Sequence, residues 1–126
     1  MKKTILIAED DKDLLDIYGE ILEVNGYRVV KAKNGREAIS KFKDNLPELV
    51  VMDGDMPNVN GFEAFSEMIE FDKKANVVIV TGYSDFDSKS KEMLEKGLIS
   101  IISKPIGLDV LLDMAKKYSG EIVLKK

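Results

Sequence analysis

The chain has 126 residues, no cysteine and no histidine, and 19 basic against 23 acidic side chains, for a net charge of −4. That length supports one closed core, and the two absences exclude disulfides, thiolate or imidazole metal sites, cysteine or Ser-His-Asp nucleophiles, and any phosphohistidine within the chain. Its basic residues are scattered among acids, which argues against nucleic acid as a partner. No apolar run approaches membrane-spanning length and no secretory pattern is present, so no membrane partner and a cytoplasmic location are expected.

The pattern alternates strand and helix. Thr4 to Ala8 reads as a buried strand. From Asp11 onward, Leu14, Leu15, Tyr18, Ile21 and Leu22 fall at helical spacing, and Asn25-Gly26 supplies a stop. Tyr27 to Ala32 is a second strand. Asn34 caps a helix with Ala38, Ile39 and Phe42 on one face, ending before Pro47. Leu49 to Met52 is the third strand, and Phe62, Phe65, Met68 and Ile69 stripe the helix after it. Val77 to Val80 is continuously apolar, as a central strand should be. A weaker helix starts at Ser84 or Asp85, is anchored by Phe86, Met93 and Leu94, and ends at Gly97. Leu98 to Ile102 is the fifth strand, Lys104-Pro105 breaks the chain, and Leu108 to Tyr118 is the last helix, with Leu111, Leu112 and Ala115 inward. Strands alternating with helices predict a parallel sheet covered on both faces, an α/β fold.

Two of these strands end abruptly on acids: Ile5-Leu6-Ile7-Ala8 runs into Glu9-Asp10-Asp11, and Val50-Val51-Met52 into Asp53. In a parallel sheet both edges lie on one rim, where open α/β folds bind ligands. Clustered carboxylates repel one another unless a cation sits among them, and oxygen-only ligands favour a hard ion such as Mg²⁺. Asp10 and Asp53 are expected to ligate Mg²⁺ directly, with Glu9 acting through a water. Thr81 and Lys104, each just past a strand, are candidate partners for phosphoryl oxygens, and Gly82 leaves the rim open beside Thr81. Taken singly these residues have plainer readings: Asp11 is a helix cap, Thr81 a turn hydroxyl, Lys104 a solvent lysine, and Gly61 a turn needing positive φ. Met52, Met56, Phe62 and Phe65 are read as packing.

The set Glu9-Asp10, Asp53 within Met52-Asp53-Gly54-Asp55-Met56-Pro57, Asn60-Gly61, Thr81-Gly82 and Lys104-Pro105, each after a predicted strand, resembles the response-regulator receiver domain of two-component signalling. The resemblance covers nearly the whole chain. It implies a flavodoxin-like, doubly wound, five-stranded parallel sheet of order 2-1-3-4-5 with five helices, residues 1–120 forming the receiver domain and 121–126 a tail or the start of a linker. It also implies that Asp53 is a phosphoacceptor served by a partner histidine kinase or phosphotransfer protein. Mg²⁺ is then held by Glu9, Asp10, Asp53 and the main-chain carbonyl of Asp55, Thr81 and Lys104 assist, and Lys104-Pro105 is often cis. Self-phosphorylation from a donor and autodephosphorylation would be its only chemistry. Output would pass through a partner or an effector domain elsewhere, and the apolar tail favours a receiver cut from a longer protein.

Three positions depart from the family pattern. Ile101 stands where members carry an aromatic switch residue, so the usual coupling of threonine to a rotating ring is not expected. Asp55 adds a carboxylate two residues past the acceptor, which could repel the phosphorylated state, hold a metal-bound water, or orient an attacking one. Asp55→Asn is expected to lengthen the lifetime of phospho-Asp53, with Tyr83 as an opposing shield. Ile99-Ser100 replaces an acidic pair, making the fifth strand apolar and its face, with the last helix, a candidate dimer or partner surface. Three other functions compete. A receiver fold could serve as a phosphorylation-independent binding module. Asp53-Gly54-Asp55 resembles the two-aspartate motif of haloacid-dehalogenase-like phosphatases. A flavin domain would share the topology, but no phosphate-binding loop follows the first strand.

Overall fold

The computed structural model describes residues 2–82 and 88–119, without the side chains of Ser88 and Lys89. Five strands, β1 (Thr4–Ala8), β2 (Arg28–Ala32), β3 (Leu49–Asp53), β4 (Val77–Thr81) and β5 (Ser100–Ser103), alternate with α1 (Lys12–Val24), α2 (Gly35–Asn45), α3 (Gly61–Phe71), α4 (Ser88–Glu95) and α5 (Leu108–Tyr118). All pairings are parallel, as the alternating pattern predicts, and the order is β2-β1-β3-β4-β5, as the family resemblance implies.

Alternating strand residues build two cores. Leu6, Val50, Met52 and Ile79 face Phe42, Phe65 and Met68 from α2 and α3. Ile5, Ile7, Val51 and Val78 face Leu15, Leu22, Leu111 and Ala115 from α1 and α5. β1, β3 and β4 are buried along their whole length because helices cover both faces.

The helix starts follow their caps. Asp11 accepts the Asp13 and Leu14 amides at 3.0 and 3.3 Å, Asn34 accepts from Glu37 at 2.8 Å, and Asn60 and Glu63 form a reciprocal capping box. The plain reading of Asp11 as a cap is thus borne out.

Boundaries shift in two places. Tyr27 precedes β2, its amide spent on the Leu22 carbonyl. Leu98 precedes β5, its amide bonded to Met93, so the strand begins two residues later than its apolar run. The expected start of the fourth helix at Ser84 or Asp85, its anchor Phe86, and Tyr83 lie outside the described residues, as does the tail 121–126. The Lys104-Pro105 bond is cis.

Gly61 corrects its sequence reading. Positive φ falls on Asn58 and Val59 instead (53° and 78°), while Gly61 is the first helical residue of α3. Its requirement is steric: a Cβ there would lie 2.5 Å from the Asp53 carbonyl oxygen and 2.8 Å from Gly54 Cα.

Candidate functional site

The strand register gathers the predicted residues at one rim. Asp53 pairs with Val80, and Thr81 with Ser103, so Asp53, Thr81 and Lys104 leave the sheet within a residue or two of one another. Each ladder runs one bond further than its strand. Glu9 donates to the Ala32 carbonyl at 3.0 Å, Gly54 to Val80 at 2.9 Å and Lys104 to Thr81 at 2.9 Å. The backbones carrying the site are therefore fixed by the sheet itself.

Glu9, Asp10 and Asp53 each offer a carboxylate oxygen, and these lie within 4.8 Å of one another. Asp53 is 3% exposed and Glu9 7%, while Asp10 faces solvent. Burial first, then the Asp53 charge and a hydrogen bond with Asp10, push the Glu9 carboxyl up to about 7, against the Asp11 amide that donates to it at 3.0 Å and the Lys104 charge. An oxygen-only, partly dehydrated set whose members repel one another suits a small hard cation such as Mg²⁺.

Lys104 Nζ lies 3.0 Å from both Asp53 oxygens. Burial works against its charge, but the hydrogen bond and charge of Asp53, with Glu9 and Asp55 behind, outweigh this and raise its pKa. Thr81 is 1% exposed, and its hydroxyl donates to Asp55, 3.3 and 3.2 Å from the two carboxylate oxygens. Asp55 in turn donates its amide to Asp53 Oδ1 at 2.9 Å. The structure thus brings together Glu9, Asp10, Asp53, Asp55, Thr81 and Lys104, the described side chains to which the sequence assigned the metal and phosphoryl site. Among the described residues, a Cβ added to Gly82 would meet nothing nearer than Asp55 at 3.9 Å.

Two features escaped the sequence reading. The first is an apolar cavity of about 70 Å³, lined by Ile7, Leu14, Tyr18, Val51, Val80 and Ile106 and reaching Glu9, Asp53 and Lys104. Burial, then the nearby Glu9 charge, raise the Tyr18 phenol pKa. The helical stripe of α1 marked Tyr18 as inward; nothing in the pattern marked it as a neighbour of the site. The second is a clamp behind the acceptor loop. Gly61 donates to Gly54 at 3.1 Å and Arg36 to the Asn58 carbonyl at 3.1 Å. Gly35 lies so close to the Val59 carbonyl that no Cβ fits between them. A glycine opening α2 was the available signal.

Ile101 is half-buried and packs on the core that holds Met93 and Leu98. Ile99 and Ile102 pack toward the opposite core, so the apolar character of β5 is spent largely inside the fold.

Comparison with known proteins gives this rim a family. The family model of the response regulator receiver domain matches residues 5–116. The chain belongs to the response-regulator receiver family. Sporulation initiation phosphotransferase F of Bacillus subtilis is 30% identical over 118 residues, 94% of each chain. A CheY-like receiver domain from Methanospirillum hungatei superposes with a TM-score of 0.87 at 29% identity, again covering 94% of each chain. CheY in a CheX–CheY–BeF3–Mg²⁺ complex from Borrelia burgdorferi superposes at 0.81 with 26% identity, over 90% of this chain and 87% of that one. Receiver domains are signalling modules of two-component systems rather than enzymes in their own right, and this receiver has, among its described residues, no helix long and apolar enough to cross a membrane.

Proposed function

We propose that this receiver is a phosphorylation-dependent switch in which Asp53 accepts a phosphoryl group from the phosphohistidine of a partner kinase or phosphotransfer protein. The observation that carries the reading is the Lys104 ammonium, 3.0 Å from both oxygens of a nearly buried Asp53 at a rim shared with Glu9, Asp10 and Thr81. The Borrelia relative's complex with BeF3 and Mg²⁺ supports the same chemistry.

In this reading an Asp53 oxygen attacks phosphorus, the phosphorus–nitrogen bond of the donor breaks, and the imidazole leaves with the electron pair. Lys104 pairs with one phosphoryl oxygen and the Thr81 hydroxyl donates to another. Asp10 and Asp53, with Glu9 through a water and the Asp55 carbonyl, would hold Mg²⁺, which when bound offsets the phosphoryl charge. Having no histidine of its own, the chain takes the group from outside and passes its state on through protein contacts. Residues 1–120 are proposed as the receiver unit and the cytoplasm as its place of work.

Intact mass after incubation with acetyl phosphate and Mg²⁺ tests this. One phosphoryl adduct is expected, absent in EDTA and in Asp53→Ala. No adduct in the wild-type chain would replace the switch with a binding module that keeps the fold alone.

A further inference from the structure

The switch reading uses only the main-chain carbonyl of Asp55, yet its side chain makes the most converged contacts at the rim. Thr81 Oγ1 donates to the carboxylate, 3.3 and 3.2 Å from its two oxygens, and the Gly82 amide donates to Oδ2 at 3.2 Å. Lys104 Nζ stands 3.8 Å from that same oxygen. A hydroxyl, a backbone amide and an ammonium aimed at one oxygen make an anion-binding set of the kind that stabilises phosphoryl oxygens.

We propose that the Asp55 carboxylate is an internal stand-in for a phosphoryl oxygen, holding Thr81, Gly82 and Lys104 in the resting chain and displaced when Asp53 is phosphorylated. The inference rests on Asp53 being the acceptor. A phosphoryl group on Asp53 calls on donors that Asp55 already occupies, and the two anions cannot share them without repulsion. The Asp55 side chain has somewhere to go: it is 35% exposed, and among the described residues nothing but Asp55 itself comes within 4 Å of a Cβ placed on Gly82. Thr81 therefore sits on the site side before any phosphorylation, and the event exchanges one acceptor for another. Asp55 is a positioning residue for Thr81 and a competitor of the phosphoryl group. Of the three roles open to it in the sequence, this geometry selects repulsion.

The test has two readouts on the full chain. The Gly82 amide is followed by NMR in EDTA, without any phosphoryl donor, in wild type, Asp55→Ala and Asp55→Asn. Removing the acceptor in Asp55→Ala should move the Gly82 resonance and speed its exchange with solvent. Asp55→Asn, which keeps a carbonyl acceptor, should restore much of the wild-type signal. Beryllium fluoride with Mg²⁺ is then titrated, and both variants should bind it about tenfold more tightly, the scale of one partly screened charge repulsion. An unchanged Gly82 amide in Asp55→Ala overturns the holding role, and unchanged affinity in both variants overturns the displacement. Failure of the wild-type chain to form an acetyl phosphate adduct overturns the switch reading and the displacement with it, while the Gly82 amide separately decides whether Asp55 holds the rim.

Discussion

Metal-free, this receiver should lose stability as pH rises from 5.5 to 8. Glu9 has its carboxyl raised from 4.5 to about 7 by burial, with Asp53 and Asp10 adding to the shift. A folded-state pKa above the unfolded one means that the native chain binds the extra proton. The resulting stability is fully present below about 4.5 and is lost as pH climbs through about 7. Over that window the slope is about 1.36 kcal/mol per pH unit, so the fall from pH 5.5 to 8 is about 2 kcal/mol. The window is unusually clean because the chain has neither histidine nor cysteine, and both Lys104 and Tyr18 are raised from values already far above it. Urea denaturation in EDTA measures it: with a slope of 1–3 kcal/mol/M for small domains, the midpoint should drop by about 1 M. Glu9→Gln should flatten the profile. Mg²⁺ should do so too, by favouring the ionised carboxylate in the native state alone. Stability that is level or rising across this range in EDTA would refute the burial argument for Glu9.

Two further perturbations bear on the rim. Lys104→Met leaves the nearly buried Asp53 facing Glu9 and Asp10 without its ammonium. In EDTA at pH 8 it should cost about 1–2 kcal/mol, discounted because the lysine side chain is 35% exposed, and Mg²⁺ should recover part of the loss in the urea midpoint. Gly61→Ala drives a Cβ to 2.5 Å from the Asp53 carbonyl oxygen, where only backbone can yield. It should destabilise by about 1–3 kcal/mol and slow adduct formation with acetyl phosphate, and a normal rate would show that the start of α3 is free to shift.

Much of this was legible in the sequence because burial imposes period. The apolar runs of β1, β3 and β4 are covered on both faces, and their ends coincide with the first acids or hydroxyl. Asp11 and Asn34 mark helix starts because a cap is a local interaction between near neighbours. β5 was misplaced by two residues because Leu98 is buried by packing while its amide turns back to Met93, and Ile99, partly buried, makes only the first bond across to Val77. Gly61 was misread because its constraint comes from the backbone of Asp53 and Gly54, eight and seven residues earlier. The bonds from Thr81 and Gly82 to Asp55 depend on the side-by-side placement of β3 and β4. Spacing identified the residues, and only the register could pair them.

The clamp behind Asp53 makes this molecule asymmetric as a transmitter. On the α2 and α3 side, the acceptor loop is tied by main-chain bonds, Gly61 to Gly54 and Arg36 to Asn58, and by the close seat of Gly35 on Val59. Altering that side means unseating whole helices. On the β4 and β5 side, Asp53 bonds the Lys104 ammonium directly and reaches the Thr81 hydroxyl only by way of Asp55, whose amide it accepts and whose carboxylate takes that hydroxyl; the ammonium, hydroxyl and carboxylate exchange partners by bond rotation alone. A change of charge at Asp53 is thus steered toward one flank. A protein docking against α2 and α3 would meet the same surface in either state and serve the chain regardless of signal; one docking over the ends of β4 and β5 would be the one able to tell the states apart.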